Sequence, residues 1–477
     1  MERGRNFHYF YEISKIPRGS FHEERIADYI EQFAKDHGLW YVRDGMHNLI
    51  LKKPGSPGRE QEPPLMLQAH TDMVCAKEPW SDHDFTRDPI DIREEDGWMR
   101  ANGTTLGADD GAGVANILGL LDEPELSHPP LECVFTVQEE DGMGGAKGLD
   151  MSHLESRRMI GLDGIQEGTT IYSASAVRGC RFQGTFPRDG APAVQTRYFR
   201  LRVSGLTSGH GALMIGAERA NAIKVSARLL RLLARREDFR LAELHGGGLI
   251  HVIPRECEAV FAAGGDLETL RDVLEEPVRQ IRLEYARTDP EMEITLEAAE
   301  AAGAGCLSAE DSRRLLTFLY LLPVGAWRRT AEQLEQVEGS FNLSVIRLAA
   351  GELSCDLVCR SNYPVSMEEL WQTAAAYGDA FGISYAASMD YAGYHVPQDS
   401  PLIRLWAQVY QQDTGKELGL VYMHSALDAG TICERLGIQD MIVVMPTTLE
   451  VHTPRERMNM DSFRRTYGYL RELLARA

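Results

Sequence analysis

Three apolar runs in this chain contain or precede residues that can bind a cation, and no other feature limits the fold as strongly. The runs and these residues are 65–74 with His70 and Asp72, 131–137 with Glu139 and Glu140, and 158–162 with Asp163. Runs of this kind predict buried strands of a mixed or parallel sheet. Because open α/β sheets place their sites at the carboxyl ends of the strands, we expect these side chains to approach one another.

The first run ends in a histidine and an aspartate that are two residues apart. This spacing puts His70 and Asp72 on the same face of an extended chain. One ring nitrogen of the histidine can then bind a metal while the carboxylate receives the other N–H. Considered alone, the pair is better explained as a strand end that faces solvent, and it is the downstream sequence that favours a metal site.

A glycine-rich loop at residues 104–113 carries Asp109 and Asp110 and leads into a predicted helix. Glycines before a helix are compatible with a phosphate-binding loop. This loop has no lysine, however, and its two aspartates would repel phosphate, so it is better suited to a cation. A late loop adds His452 to the candidates.

Together these segments supply two imidazoles and three carboxylates, a donor set typical of a pair of divalent ions. The candidate ligands are His70, Asp109, Glu140, Asp163 and His452. One carboxylate can bridge two metals that lie about 3.5–4 Å apart. A further free carboxylate must then take a proton from water and pass it to the leaving amine.

Composition limits the partners and the compartment. The formal net charge of -21 argues against nucleic acid or an anionic membrane as the main partner. The chain begins without an apolar signal segment, and no later run is long enough to span a bilayer. Its eight cysteines are scattered singly, which indicates reduced thiols, and we therefore expect a cytoplasmic protein.

The arrangement of predicted elements indicates an α/β domain with a mixed sheet that is interrupted by an insertion. We predict a first part at 1–176, an inserted lid domain at 177–388 and a second part at 389–477. Two passes of helix, strand, strand, helix and strand inside the insert predict a duplicated α+β unit. Ser20 and Glu23 predict a capping box that opens a helix, and residues 249–253 predict a strand.

Four segments resemble the co-catalytic zinc peptidases of the carboxypeptidase G/aminoacylase family. They are His70-Thr-Asp72, the loop 105–113, Glu139-Glu140 with the glycines that follow, and His452-Thr-Pro. Within that family the similarity is greatest to the bacterial aminoacyl-histidine dipeptidases, also called cytosolic non-specific dipeptidases. The order of segments matches over essentially the whole chain, and a large duplicated lid is typical of this subgroup.

The resemblance implies a role for each residue. It implies His70 and Asp163 on one metal, Glu140 and His452 on the other, Asp109 as the bridge, Asp72 as the residue that orients His70, and Glu139 as the general base. The implied ions are zinc, with cobalt or manganese also compatible with this donor set.

Other residues have weaker support from the pattern. The resemblance implies that His210 binds the substrate, although a turn histidine without a role is the alternative. Asn221 could contact substrate, and helix capping explains it equally well. Relatives usually have glutamate at the position of Asp428, so its role stays open. Arg360 could bind a substrate carboxylate, but a structural salt bridge is the more common use of such a residue.

The expected activity is hydrolysis of unblocked dipeptides, including Xaa-His and β-alanyl-histidine, by a metal-bridging water that Glu139 activates. An N-acyl amino acid amidohydrolase or a tripeptidase on the same site is the nearest alternative. A catalytically inactive binding protein with a structural metal site is a third possibility. The resemblance also implies a homodimer that forms through the lid domain.

Overall fold

A computed structural model describes residues 4–164, 166–189, 197–236, 238–300, 305–331 and 333–477. The chain divides into two compact units. The discontinuous unit comprises Met1–Ala174 and Ala392–Ala477, and the inserted unit comprises Ser175–Tyr391. None of the described helices is both long enough and apolar enough to cross a membrane.

The discontinuous unit contains a six-stranded mixed sheet whose central strands are parallel. In sheet order its strands are Trp40–Arg43, Leu49–Lys53, Leu131–Thr136, Leu65–His70, Arg158–Gly161 and Asp440–Val443. All six residues of Leu65–His70 are buried, as expected for a strand that has neighbours on both sides and helices on its faces. The three predicted site-bearing strands are therefore adjacent, and they run in the same direction.

Helices and two smaller sheets complete this unit. The helices are Arg5–Ile13, Glu24–Asp36, Ala108–Leu121, Gly144–Gly148, Pro401–Thr414, Asp428–Leu436 and Met460–Arg476. The four-stranded sheet consists of Thr448–Leu449, Arg457–Asn459, Trp98–Ala101 and Ile92–Glu95, and the three-stranded sheet of Tyr394–His395, Thr169–Ala174 and Gly419–Met423. Ala108–Leu121 is buried on nearly every side, and it contacts Leu65–His70.

The inserted unit is built on a nine-stranded antiparallel sheet. In sheet order its strands are Glu293–Ala299, Arg197–Ser204, Cys257–Ala263, Arg240–Gly246, Val337–Ala349, Glu352–Ser361, Ala176–Thr185 and Ser384–Tyr391, with Gly325–Arg329 paired to Val337–Ala349. The short strands Arg188–Asp189 and Cys306–Leu307 pair separately. The helices Ala222–Leu233, Leu267–Glu284, Ala309–Leu321 and Pro364–Phe381 share one hydrophobic core with the large sheet.

The two passes through the insert are nested in the chain. Ala176–Thr185 precedes the first pass, yet it pairs with Glu352–Ser361 and Ser384–Tyr391 of the second. Each half of the sheet therefore has four main strands in the same relative order. In each half, the strand that comes last in the sequence lies at the outer edge of the sheet. Pairing of Arg240–Gly246 with Val337–Ala349 joins the halves.

Two local predictions are wrong. Ser20 does not cap a helix, because its hydroxyl donates to Asp72 Oδ2 at 2.7 Å and the helix begins only at Glu24. Glu23 accepts backbone N–H groups from Phe21 and Gln138 at 3.0 and 3.1 Å. Residues 249–253 form no strand, and their only bridge among the described residues joins Val252 to His210.

Candidate metal centre

The site residues of the discontinuous unit come together at the carboxyl ends of its parallel strands. His70 is the last residue of its strand, and Asp163 follows the neighbouring strand by two residues. Glu139 and Glu140 follow Leu131–Thr136 within four residues. Parallel strands end at the same edge of a sheet, so the order of the strands explains why these side chains meet.

Asp109 lies between the two histidines. Its Oδ1 is 3.3 Å from His70 Nε2, and its Oδ2 is 3.3 Å from His452 Nε2. His452 Nε2 is also 3.0 Å from Glu140 Oε2. A carboxylate that offers one oxygen to each of two imidazoles has the arrangement required of a ligand that bridges two cations.

Two overlapping groups of donors are compact enough to surround an ion. His70, Glu139 and Asp163 place one donor atom each within 4.8 Å of one another, and His70, Asp109 and Glu140 do the same. Zinc binds such donors at about 2.0–2.2 Å, so two donors on opposite sides of one ion lie about twice that distance apart. The 4.8 Å limit is compatible with this separation. Glu139, the expected base, thus lies within 4.8 Å of His70 and Asp163 and belongs to the same group of donors as the expected ligands.

Asp72 contacts both His70 and the backbone of Glu139 and Glu140. Its Oδ1 is 3.3 Å from His70 Nδ1, which leaves Nε2 directed at Asp109. The same carboxylate accepts the backbone N–H groups of Glu139 and Glu140 at 3.0 and 3.2 Å. One buried side chain therefore fixes the orientation of a candidate ligand and the course of the backbone that carries the expected base.

Burial and crowding shift the acidity of the carboxyl groups. Burial, and then the charge of Asp109, raises the pKa of Asp163 to about 8. Burial, and then Asp163, raises the pKa of Glu139 well above its usual range. Burial also raises the pKa of Asp428 to about 7, against the lowering effects of Thr136 and His70. Such a group of buried carboxylates is stable in ionised form only with added positive charge.

The histidines respond to the same excess of negative charge. Hydrogen bonds to Asp109 and Glu140 raise the pKa of His452 to about 11. Burial would lower the pKa of His70, but Asp109 and Asp72 raise it well above its usual value. Although burial acts in the opposite direction, His452 and His70 lower the pKa of Asp109. Protons on the imidazoles and divalent cations would balance the same carboxylate charge, so metal binding should release protons.

Unpartnered atoms are a further sign that the donor set fits cations. Glu140 Oε1 is buried and has no hydrogen-bond partner among the described residues, and the same holds for both carboxylate oxygens of Asp428. Buried polar atoms are nearly always hydrogen-bonded, so such atoms in one region indicate missing cationic partners. The mixed imidazole and carboxylate donors suit zinc, cobalt or manganese.

Glu456 is a residue of the site that the sequence did not indicate. Its Oε2 accepts the N–H groups of Leu106 and Gly107 at 2.8 and 3.0 Å. Its Oε1 accepts those of Ala108 and Asp109 at 2.8 and 3.3 Å. One carboxylate thus holds four consecutive backbone N–H groups and fixes the start of the loop that presents Asp109.

Arg18 joins the same loop to the residues that follow the strand Leu65–His70. Its Nη1 donates to the carbonyl oxygens of Thr71 and Asp72 at 2.9 and 3.0 Å, and its Nη2 donates to that of Gly107. Gly107 has a φ of +70° and lies so close to Arg18 that a Cβ atom would be 2.6 Å from Nη2. A glycine is required there both by the backbone conformation and by the space.

The two expected substrate-binding residues lie in the inserted unit. Asn221 caps the helix Ala222–Leu233, since its Oδ1 accepts the N–H groups of Ile223 and Lys224 at 3.1 and 3.2 Å. Its Nδ2 donates to Leu343 O at 2.8 Å. Capping, the alternative considered from the sequence, accounts for this residue. His210 Nδ1 accepts the N–H of Ala212 at 3.2 Å, which leaves Nε2 as the protonated ring nitrogen.

Arg360 forms no salt bridge with any residue that the structure describes, contrary to the more common use expected from the sequence. It is 7% exposed, and its Nε is buried without a hydrogen-bond partner among the described residues. Burial lowers its pKa to about 10. A buried guanidinium that lacks a counter-charge is unfavourable, so this residue is suited to receive an anion.

Comparison with known proteins gives a consistent result. The model of peptidase family M20/M25/M40 matches residues 66–476. The cytosol non-specific dipeptidase of Escherichia coli is 31% identical over 468 residues, which are 98% of this chain and 96% of that protein. The crystal structure of an aminoacylhistidine dipeptidase from Vibrio alginolyticus has 30% sequence identity and a TM-score of 0.88, with 98% of this chain and 96% of that chain covered.

A more distant structure extends the likeness of fold. The aminopeptidase PepT of Bacillus cereus has 15% identity and a TM-score of 0.56, with 99% of this chain and 97% of that chain covered. At this identity the similarity concerns the fold alone. The family match and the E. coli relative both extend over most of the sequence. The chain therefore belongs to peptidase family M20/M25/M40.

Proposed function

We propose that this protein is a metal-dependent dipeptidase that hydrolyses unblocked dipeptides, among them Xaa-His and β-alanyl-histidine. The observation that carries the proposal is Asp109, whose two oxygens each lie 3.3 Å from a different histidine. The names of the E. coli and V. alginolyticus relatives support a dipeptidase in particular. We also propose that the ions are two zinc ions, with cobalt and manganese as alternatives.

The proposed chemistry divides between the cations and one carboxylate. Two divalent cations, when bound, would polarise the scissile carbonyl and acidify the attacking water. Glu139 would accept a proton from that water and transfer it to the leaving amine nitrogen. The position of its carboxylate, within 4.8 Å of donor atoms of His70 and Asp163, supports this role because it puts the base at the metal centre. Asp72 would hold the backbone of Glu139 in place during the transfer.

Asp428 favours a substrate with a free amino terminus over an N-acyl amino acid. Its carboxylate is 1% exposed, and both oxygens lack hydrogen-bond partners among the described residues. Its charge acts on Glu139 and Asp163, so it lies near the proposed centre. A substrate ammonium group would satisfy these oxygens, whereas an acetylated nitrogen has no positive charge to offer.

In the inserted unit we propose Arg360 as the partner of the substrate carboxylate and His210 as a further substrate-binding residue. The buried Nε of Arg360, which has no hydrogen-bond partner among the described residues, supports the first role. For His210, the hydrogen bond from Ala212 favours the tautomer that donates from Nε2. A Nε2–H donor could bind a substrate oxygen.

Two further proposals concern the protein in the cell. We propose that it acts in the cytosol, as the name of its E. coli relative says of that protein. We also propose a homodimer that forms through the inserted unit, whose sheet ends in the edge strands Glu293–Ala299 and Ser384–Tyr391. Light scattering on the full chain should then give twice the mass of one chain.

Turnover measured on a substrate panel tests the activity. Release of histidine from β-alanyl-histidine and other Xaa-His dipeptides should exceed hydrolysis of N-acetyl-histidine and of tripeptides by at least tenfold. Faster hydrolysis of N-acetyl-histidine would instead support the amidohydrolase alternative. No hydrolysis of any panel member by metal-loaded protein would support the inactive binding protein.

Substitution of the expected base tests the mechanism. Glu139→Gln should retain two metal ions per chain and lose turnover by about 10²-fold or more. Asp141→Asn is the matched control, because it removes an exposed carboxylate two residues away, and it should change turnover less than twofold. Unchanged turnover in Glu139→Gln would remove the base assignment.

A further inference from the structure

The four-stranded sheet of the discontinuous unit carries three arginines that lie directly opposite one another on neighbouring strands. Arg93 of strand Ile92–Glu95 lies opposite Arg100 of strand Trp98–Ala101. Arg100 in turn lies opposite Arg457 of strand Arg457–Asn459. Residues that are directly opposite in antiparallel strands project to the same face, with Cβ atoms about 4.5–5.5 Å apart. We propose that this arginine ladder binds a small phosphate-type oxyanion.

Like charges in this arrangement repel each other, and the contacts within the chain offset that repulsion only weakly. Arg93 Nη2 is 3.7 Å from Asp91 Oδ2. Arg457 Nη1 is 3.4 Å from Glu450 Oε1, and its guanidinium lies 5.4 Å from the centre of the Trp98 ring. Cross-strand pairs of like charge destabilise a sheet, so a row of three needs a compensating anion.

The central arginine has the least compensation. Arg100 makes no hydrogen bond or ion pair with any residue that the structure describes, and its Nε is shielded from solvent without a partner. Its guanidinium therefore has N–H donors available in a fixed planar arrangement. That arrangement fits the oxygens of phosphate better than it fits water, because two donors can contact one group at once.

A cavity of about 300 Å³ lies over the ladder. Arg455 also lines it, together with Glu95, Glu450 and Glu456. Arg455 pairs with Glu450 at 2.9 Å, and Glu456 is directed to four backbone N–H groups. Four arginines against three glutamates leave the lining side chains with one excess positive charge.

The positive charge at the arginine ladder is opposite in sign to the net charge of the whole chain. With a net charge of -21, most of the surface repels anions. A concave site with a positive balance on such a protein selects anions locally. The cavity can hold a free phosphate ion or the phosphate group of a small metabolite. None of the candidate metal ligands lines it, so the proposal does not depend on the proposed peptidase activity.

Calorimetric titration of the full-length, metal-loaded protein with inorganic phosphate tests the proposal. Arg100→Gln removes the central donor. Arg87→Gln is the matched control, because Arg87 is 72% exposed and pairs with Asp88 at the surface. We expect phosphate affinity at the ladder to fall at least tenfold in Arg100→Gln and by less than twofold in Arg87→Gln. Any phosphate that binds at the metal centre is common to all three proteins.

Thermal unfolding gives a second readout, in which samples without phosphate contain chloride at the same ionic strength as the samples with phosphate. Without phosphate, Arg100→Gln should raise Tm by about 1–3 °C because it removes the cross-strand repulsion. Phosphate should raise the Tm of the wild type and not that of Arg100→Gln. If Arg100→Gln does not fold, Arg93→Gln provides the same comparison.

Two results would overturn the proposal. One is an equal phosphate response in the wild type and in Arg100→Gln, which would place the anion elsewhere. The other is a response to acetate at the same concentration as large as that to phosphate, which would assign the cavity to carboxylates. A parallel titration with glucose 6-phosphate distinguishes a phosphorylated metabolite from the free phosphate ion as the ligand. Tighter binding than free phosphate indicates a phosphorylated metabolite, and equal or weaker binding indicates the free ion.

Discussion

Replacement of Glu456 by glutamine should destabilise the protein and loosen the proposed metal centre together. The carboxylate accepts four backbone N–H groups, two on each oxygen, from residues 106–109. Glutamine has nearly the same shape, but its amide nitrogen would face two of these donors instead of accepting from them. Two buried N–H groups then lose their partners, and the amide N–H groups clash with them.

The expected size follows from these lost hydrogen bonds. A buried donor without a partner costs about 1–3 kcal/mol, so two of them cost about 2–6 kcal/mol. The substitution also removes a buried charge, whose desolvation raises the pKa of Glu456 to about 7. Relief of that charge offsets part of the loss, and we expect a net destabilisation of about 2–4 kcal/mol. This is a large share of the about 5–15 kcal/mol that stabilises a typical domain.

The same change should weaken metal binding, because Asp109 N–H is one of the four donors. Loss of a group that supports a ligand typically lowers metal affinity by about 10–100-fold. Urea unfolding of the full chain measures the stability, and competition with a fluorescent chelator measures the affinity. Visible absorption of the cobalt-loaded protein should also change, since a displaced ligand alters the coordination geometry.

Glu472→Gln is the control for Glu456→Gln, because the Glu472 side chain is 53% exposed and pairs with Arg476 at the surface. It should change stability by less than about 0.5 kcal/mol. If Glu456→Gln unfolds within about 1 kcal/mol of the wild type and keeps its metal affinity, the four hydrogen bonds do not support the site and the reasoning is wrong.

Four further predictions concern other parts of the molecule. Asp72→Asn should lower metal affinity and kcat by about 10–100-fold, since its amide nitrogen cannot accept one of the two backbone N–H groups that the carboxylate holds; chelator competition and turnover check this. In chelated protein the pKa of Asp163, usually 3.8, is raised to about 8, so the folded state retains a proton that the unfolded state releases. The free energy of unfolding should therefore fall as pH rises from about 4 to 8. Added zinc should raise Tm most near pH 8. Lys224→Met should destabilise the inserted unit by about 2–4 kcal/mol in urea, because Nζ donates to three carbonyl groups at the end of Ala309–Leu321. Arg360→Met should raise KM for dipeptides at least tenfold but leave KM for dipeptide amides unchanged. Tm should not fall, because the substitution removes a buried charge whose Nε has no hydrogen-bond partner among the described residues.

The strands and the site at their ends could be predicted from local pattern because one physical rule links them. An apolar run followed by a ligand-forming residue predicts both a buried strand and a side chain at the edge of its sheet. The structure puts His70, Glu140 and Asp163 at one such edge. Asp109 and His452 were candidates from their loops, and the motif resemblance assigned their roles, because their contacts depend on loops that no periodicity describes.

The remaining features depend on contacts between distant segments. Glu456 is indistinguishable in sequence from a surface carboxylate, and its role arises because residues 106–109 lie against it across 350 positions of chain. Ser20 has the spacing of a capping residue, but Asp72 offers its hydroxyl a buried acceptor and the helix starts later. The nested halves of the large sheet could not be predicted either, because a strand at 176–185 carries no mark of which later strands it will pair with.

Anomalous X-ray diffraction from crystals grown with zinc would test the central claim most directly. The account predicts two peaks about 3.5–4 Å apart, both within bonding distance of Asp109, with His70 on one ion and His452 on the other. A single ion, or a pair of ions that Asp109 does not bridge, would contradict it.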